Sequence, residues 1–469
     1  MTQGALAGRR AVVMGLGLFG GGVASARFLA RRGALVTVTD LRDADQLAPA
    51  VRELDGLDVR FVLGRHDAAD FDQAELLVVN PAVPPHVPLI ERAREHGARV
   101  TSEVGLFLDH VAGTVAAVTG TQGKSSTCRF LADLLAGCGE RVRLGGNIGK
   151  PLLAEVDEIE PDELVVLELS SYQLQTLPDD VTRSRRESPL RIALFTNVLS
   201  DHLERHGTRA DYAAAKLRLL ELLPEGATVV WPANADWLPE RDALPAGLRT
   251  LPFHANSAAP AGEDALQFGA GSYRRGTLDL APLDATPPLP AFQRENLLAA
   301  LGAANALGCA PRELAKALPA LRGLPHRLAD LGTVRGRRVW DNAVSTTPDS
   351  TVSALRALGT GTTALIGGKV KDLDTSELLE VTARHAARAI LFGQAAELWL
   401  DRFRAAGIET HAAPDVRTAV TAAFELTREG DAILFSPACS SFDAYPNFKA
   451  RADDFHACLK YGTAFDPSV

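Results

Sequence analysis

Short, unbroken apolar runs recur along this chain, and most of them stop at a glycine or a small polar cluster. Continuous apolar runs of about 4–8 residues suit strands buried on both faces, as in a parallel sheet. The first segment predicts strands at Ala11–Gly15, Leu35–Thr39, Val59–Leu63, Leu76–Val79 and Arg99–Thr101, with helices at Val23–Arg32 and Glu91–His96. The second predicts strands at Val115–Thr119, Leu164–Leu167, Ile192–Phe195 and Thr228–Trp231. Its helices are one reaching Leu135, an alanine-rich one over Asn296–Leu307 and another from Pro311 to Ala317. The stretch 272-SYRRGTLDLAPLD-284 reads as short antiparallel strands on that domain's edge. The third begins an alternating pattern at Leu355–Leu358 and Thr363–Gly367 and adds strands at Ala389–Phe392 and Ala432–Phe435. Strands alternating with helices mean open parallel sheets. The 469 residues fit three α/β domains, at 1–110, 111–322 and 323–469.

Two of the strand ends carry glycine loops. In 118-VTGTQGKSSTCRF-130 an apolar strand meets a loop, and Lys124 and Ser125 open a helix. Loop N–H groups and the helix N-terminus face phosphates, lysine adds a point charge, and serine reaches magnesium. Gly120, Thr121, Gly123, Lys124, Ser125 and Ser126 are therefore the triphosphate candidates. The usual first glycine would fall at Val118, so the loop is shorter than a strict P-loop. The other loop, 15-GLGLFG-20, matches G-x-G-x-x-G, with Asp40 ending the next strand. Alone it reads as an NAD fingerprint, yet any nucleotide diphosphate can use such a loop.

Two further strand ends carry polar groups. Glu168 closes the run 164-LVVLE-168, where a carboxylate is costly unless it meets a ligand or cation or caps the helix that starts at Ser170 or Ser171. Asn197, Asp201 and His202 follow the next strand, and a histidine there suits a divalent ion, although magnesium prefers oxygen. Lys216 falls on a helix at i+4 from Tyr212, where a solvated lysine is the plain reading.

Composition narrows the setting. A formal net charge of -9 gives no basic excess for non-specific nucleic-acid binding. Five scattered cysteines without a C-x-x-C pair suit a reducing cytosol, and no long apolar span or signal-like leader is visible. A cytoplasmic monomer with no membrane insertion is the expectation.

Taken together, GLGLFGGG at 15–22, GTQGKSS at 120–126, GGNIGKPL at 145–152, ELSSYQL at 168–174, TNVLSDHLERHG with AAAK at 196–216, ENLLAALGAANALG at 295–308, LPHRL at 324–328 and SPACSSFDAYPNFKARADDF at 436–455 resemble the Mur ligase family. These are ATP-dependent amide-bond ligases of peptidoglycan precursor synthesis. The resemblance spans nearly the whole chain. It implies a Rossmann-like N-terminal UDP-binding domain, a central P-loop-type ATPase sheet and a Rossmann-like C-terminal domain. It also implies ATP and Mg2+ as cofactors, with UDP-N-acetylmuramoyl-L-alanine and glutamate as substrates.

The implied roles follow the matched positions. Gly15, Leu16, Gly17, Leu18 and Arg42 would hold UDP, and Asn147 and His202 would lie near the muramoyl group. Ser125, Glu168, His202 and Lys216 would hold metal, Lys216 matching a lysine that the family N-carboxylates. Asn296 would contact adenine, and His326, Arg327 and Asp341 would reach the nucleotide. Lys371, Ser441 and Phe448 would surround glutamate. Lys124, His202, Lys216 and Arg327 would carry the catalysis. Departures are Gln122 for the usual asparagine, Phe292-Gln293 for His-Asn, Lys369 for an acid, and 341-DNAVSTTP-348, where Ala343 and Val344 stand for a Ser-Lys portion. That last stretch leaves L-glutamate open beside D-glutamate. A nucleotide-binding regulator without catalysis is the reading from another class.

Overall fold

The computed structural model describes residues 6–461 except 19, 149–150, 178–187, 200, 238, 240–243, 255–258, 261–262, 288, 290, 322 and 372. Phe19, Gly149, Lys150 and Ser200 of the matched motifs thus lie outside the described residues. The chain forms two compact units, one of Met1–Pro287 with Gln293–Arg322, the other of Pro288–Phe292 with Gly323–Val469.

The first unit holds two sheets. Strands β1 (Arg10–Met14), β2 (Leu35–Asp40), β3 (Val59–Leu63), β4 (Leu76–Val79) and β5 (Arg99–Thr101) pair in the order β3-β2-β1-β4-β5, all parallel. The second sheet contains β6 (Thr114–Thr119), β7 (Val142–Gly146), β8 (Leu164–Glu168), β9 (Leu190–Phe195), β10 (Thr228–Pro232), β11 (Arg249–His254), β12 (Leu266–Gly269), β13 (Ser272–Arg275) and β14 (Leu278–Pro282). Its order is β14-β13-β12-β11-β10-β9-β6-β8-β7, with β6 between β8 and β9. Only the β12-β13-β14 edge is antiparallel, as the SYRRGTLDLAPLD pattern suggests. Helix α1 (Gly21–Arg31) follows β1, and α2 (Lys124–Gly137) follows β6. One apolar core joins both sheets, running from Val13, Phe28 and Leu29 through Leu152 and Val156 to Val165 and Phe195. Burying side chains of this kind supplies about 25 cal/mol per Å² of apolar surface.

The second unit is a single sheet of β15 (Ala329–Val334), β16 (Arg337–Asp341), β17 (Thr362–Gly367), β18 (Ala386–Phe392), β19 (Thr410–Ala413) and β20 (Ala432–Ala438), ordered β15-β16-β20-β17-β18-β19. The β15–β16 pair is antiparallel and the rest parallel. A core covers each face, one around Leu355, Trp399 and Leu434, the other around Phe392, Phe435 and Phe455. Residues Leu355–Leu358 end a helix over Pro348–Leu358.

Candidate active site

Parallel strands leave their carboxyl ends along one edge of the sheet, where ligands of open α/β sheets bind. The loop after β6 runs into α2, whose N-cap Gly123 has φ +82. A Cβ on Gly123 would stand 2.5 Å from Asn296 Oδ1, on helix α5 (Ala291–Ala306), so both the left-handed backbone and the close approach require glycine. Lys124 Nζ donates to the Thr121 carbonyl at 2.8 Å, folded back over its own loop. Ser125 is half-buried and Ser126 buried in the first turn.

The loop is held from the end of β9. Asn197 Oδ1 accepts from Gln122 N–H at 2.9 Å, and the Asn197 carbonyl accepts from Thr121 N–H at 2.8 Å. Thr196 Oγ1 donates to the Gln122 carbonyl at 2.6 Å. The N–H groups of both Thr121 and Gln122 are thus engaged within the protein. These contacts span more than 70 residues of sequence, and no local pattern announces them.

Glu168, at the end of β8, is 2% exposed. Its Oε1 accepts from Asn147 Nδ2 at 2.9 Å, and its Oε2 is buried without a hydrogen-bond partner. The helix that follows, α3 (Ser171–Gln175), is capped by Ser170, whose Oγ accepts from Gln173 N–H. Helix capping therefore does not explain Glu168, and a buried orphan carboxylate oxygen calls for a cation.

Lys216 lies on α4 (Arg209–Leu217) and is 1% exposed, so the solvated-lysine reading fails. Its Nζ donates to the Gly120 carbonyl at 2.8 Å and sits 4.4 Å from the centroid of the Tyr212 ring. Burial, with repulsion from Lys124, pushes its pKa down to about 7. Tyr212 receives a hydrogen bond from Thr121 Oγ1 at 3.1 Å, tying α4 to the loop. His202 has φ +53 and stands 3.5 Å from both Asp201 and Glu204 carboxylates, with its ring 5.1 Å from Tyr172.

The glycine loop after β1 is also fixed from within. Gly17 N–H donates to Asp40 Oδ2 at 3.2 Å, and Arg42 donates to Oδ1 through its backbone N–H at 3.0 Å and Nε at 3.3 Å. Asp40 therefore shapes the loop, which weakens the NAD fingerprint. Leu16 is buried beneath the loop, whereas Leu18 is exposed on it. Arg205, which sequence reasoning passed over, donates to the carbonyls of Pro81 and Val83 at 3.1 and 2.9 Å and to Gln175 Oε1 at 3.0 Å. It links the first sheet's β4 loop to α3. A cleft of about 330 Å³ opens beside the phosphate loop, lined among others by Asn197, Trp237, Phe253, His254 and Glu295.

In the second unit, Lys371 is exposed, Ser441 is 2% exposed and Phe448 is half-buried at the start of helix α6 (Phe448–Tyr461). Lys369 and Ser440 exchange backbone hydrogen bonds at 2.8 and 3.1 Å, drawing the loops of Lys371 and Ser441 together. Behind them lies Arg451, wholly buried. Its NH1 donates to the carbonyls of Gly367, Cys439 and Ser440 at 3.3, 3.0 and 3.2 Å, and its NH2 to Ala343 at 3.4 Å. Burial pushes its pKa down to about 10. Asp341 is fully buried, its Oδ1 accepting from Ala343 N–H and its Oδ2 bonded to His326 and His456. Burial opposes its ionisation, yet the hydrogen bonds from His456 and His326 hold its carboxyl below the usual range. Both Asp341 oxygens are thus engaged within the protein. The altered 341–348 stretch is packed inside, with Ala343 wholly buried and Ser345 joined to Thr351 at 2.7 Å.

A phosphate loop served by a buried carboxylate and a desolvated lysine, next to a dinucleotide-type sheet, marks an ATP-using α/β enzyme of the ligase kind. Family models for the Mur ligase MurD-like N-terminal domain, middle domain and glutamate ligase domain match residues 9–102, 118–304 and 326–439. The UDP-N-acetylmuramoylalanine–D-glutamate ligase of Geobacter metallireducens is 35% identical over 460 residues, 97% of this chain and 98% of its own. The ligase of the same name from Pelotomaculum thermopropionicum is 32% identical over 458 residues, 95% and 96% of the two chains. The MurF ligase of Thermotoga maritima in complex with ADP shares the fold, with a TM-score of 0.55 at 20% identity over 98% and 97% of the chains. This chain belongs to the Mur ligase family, in its MurD-like branch. Its architecture is that of the family: Rossmann-like first and last domains with an ATPase domain between them in sequence.

Proposed function

We propose that the protein joins D-glutamate to UDP-N-acetylmuramoyl-L-alanine at the expense of ATP, through an acyl phosphate, as a cytoplasmic enzyme of peptidoglycan precursor synthesis. The observation that carries this is the grouping of Lys124, Glu168 and Lys216 around one phosphate loop, in a chain aligned end to end with D-glutamate ligases. Residues 1–110, 111–322 and 323–469 serve UDP, ATP and glutamate respectively.

The residues present fit a divalent cation, since Glu168 Oε2 is buried and unsatisfied. Ser125, Glu168, His202 and an N-carboxylated Lys216 would hold Mg2+. When bound, Mg2+ neutralises charge on the phosphoryl oxygens. Carboxylation needs a neutral amine, and a pKa of about 7 supplies it near neutral pH. The change turns a buried cation into an anion beside the loop.

Lys124 and the loop amides orient the triphosphate, with Asn296 and the cleft near Glu295 taking adenine. Gly15–Leu18, Arg42 and Asn147 hold the UDP-linked acceptor. The acceptor's carboxylate oxygen attacks the γ-phosphorus, the bond to the β-phosphate oxygen breaks, and ADP leaves. Lys124 and Arg327 offset the charge that spreads over the transferring group. The amine of glutamate then attacks the acyl carbon and loses a proton, and phosphate departs with the acceptor's oxygen. Lys371 and Ser441 meet the glutamate carboxylates, with Phe448 alongside.

A heavy-oxygen label in the acceptor carboxylate tests the route. One labelled oxygen per phosphate released supports the acyl phosphate, and unlabelled phosphate overturns it. L-Glutamate is the second reading, motivated by the altered stretch 341-DNAVSTTP-348 with its STTP sequence, in the glutamate domain.

A further inference from the structure

Among the described residues, one group of three His, Cys, Asp or Glu side chains converges closely enough to ligate an ion: His326, Asp341 and His456, their ligand atoms all within 4.8 Å of one another. They arrive from three elements, the loop before β15, the end of β16 and the helix α6. His326 Nδ1 and His456 Nε2 each lie 2.7 Å from the same oxygen, Asp341 Oδ2. His456 is half-way along α6 and belongs to none of the roles proposed above.

Each of the three is also held by contacts outside the triad. His326 and Leu328 both adopt positive φ, at 61° and 48°, and are pinned there. Val344 N–H donates to the His326 carbonyl at 3.1 Å, and Leu328 N–H donates to Asn342 Oδ1 at 3.1 Å. Asp341 is oriented by Ala343 N–H on Oδ1 at 2.9 Å. His456 is carried next to Phe455, which stacks on Phe435 at 4.2 Å in the core. The carboxylate is fully buried, while the His326 and His456 side chains keep 17% and 34% of their surface, leaving one side open to an ion.

We propose that His326, Asp341 and His456 form a binding site for one late first-row divalent cation, of the Zn2+ or Co2+ class, within the C-terminal unit. Two imidazoles and a carboxylate are borderline ligands that suit these ions, whereas magnesium demands near-octahedral oxygen. Without metal, each imidazole donates an N–H to Oδ2. On binding, each of those nitrogens gives its lone pair to the ion, and the proton moves to the other ring nitrogen or to solvent. Solvent fills the open side. Occupancy engages His326 and Asp341, two residues that the family resemblance assigns to nucleotide contact; that consequence rests on the ligase reading, whereas metal binding itself does not.

The test is a Co2+ titration of the full-length, metal-stripped protein in excess Mg2+, read by visible d–d absorption. The expected result is a band saturating at one equivalent, kept in His202→Ala and weakened at least about tenfold in affinity in His456→Ala and Asp341→Asn. His456→Gln, which retains a polar side chain, should lose the band as well, with metal-free thermal unfolding reporting that the variants are folded. No saturable band in the wild type overturns the proposal, leaving a hydrogen-bonded triad only. A band that folded His456 variants leave unchanged overturns it too.

Discussion

Lys216 Nζ donates to the carbonyl of Gly120 at 2.8 Å, so the helix lysine and the phosphate loop are joined by a direct hydrogen bond from a side chain that solvent scarcely reaches. The ordinary lysine pKa of 10.5 falls to about 7 there. Between those values the unfolded chain binds more protons at this site than the folded one, so stability rises with pH across that window. Denaturant melts at a series of pH values should show this rise and lose it in Lys216→Met. Ligation should also rise from pH 6 towards 8 (round values about the shifted pKa,) and respond to added bicarbonate. An activity profile indifferent to bicarbonate removes the carboxylation step.

Glu168→Gln keeps the bond from Asn147 possible but removes the anion whose Oε2 has no partner. We expect activity to fall by about 100-fold or more, with metal-free stability unchanged or higher, because a buried charge is gone. Turnover and chemical melts on the same preparation check both halves.

Asn197→Ala frees Gln122 N–H and the loop's outer turn. The expected outcome is a rise in KM for ATP of about tenfold, as misplacement of a phosphate cradle weakens every contact it makes. The KM for glutamate should not change.

Arg451→Met removes the guanidinium bonds to four carbonyls, of which Ser440 keeps a second donor in Lys369 N–H. Stability should fall by ~2–3 kcal/mol, and KM for glutamate should rise more than KM for ATP, because the loops of Lys371 and Ser441 slacken. Arg451→Lys, which can still reach some carbonyls, should recover part of both. Equal changes in the two KM values would reduce Arg451 to a general structural role.

Strands of the first sheet were legible where apolar residues end at punctuation, most plainly in β4, and β3, β4 and β5 all match their expected limits. The hairpin of β15 and β16 carries a weaker signal, since β15 has only half-buried and exposed positions and β16 opens on two arginines and ends in the polar Asp341. Strand β7 was hidden by its two closing glycines. At the site, Lys124 announces itself by opening a helix behind a glycine loop, and Glu168 by closing an apolar strand. The hydrogen bonds made by Asn197, Arg205, Arg451 and His456 do not, because their partners are distant in sequence. Asp40 illustrates the converse: its spacing fits a cofactor fingerprint, but its oxygens are taken by Gly17 and Arg42. The lysine at 216 read as solvated because its helix is otherwise amphipathic, and burial came from packing against the loop.

The most direct measurement is phosphate release with ATP, Mg2+ and UDP-N-acetylmuramoyl-L-alanine, comparing D- with L-glutamate and identifying the product by mass and chiral analysis. The account predicts one phosphate per amide formed, turnover only when all substrates are present, and preference for the D-enantiomer. Preference for L-glutamate would contradict the stereochemical assignment, and no turnover with either enantiomer would contradict the ligase itself.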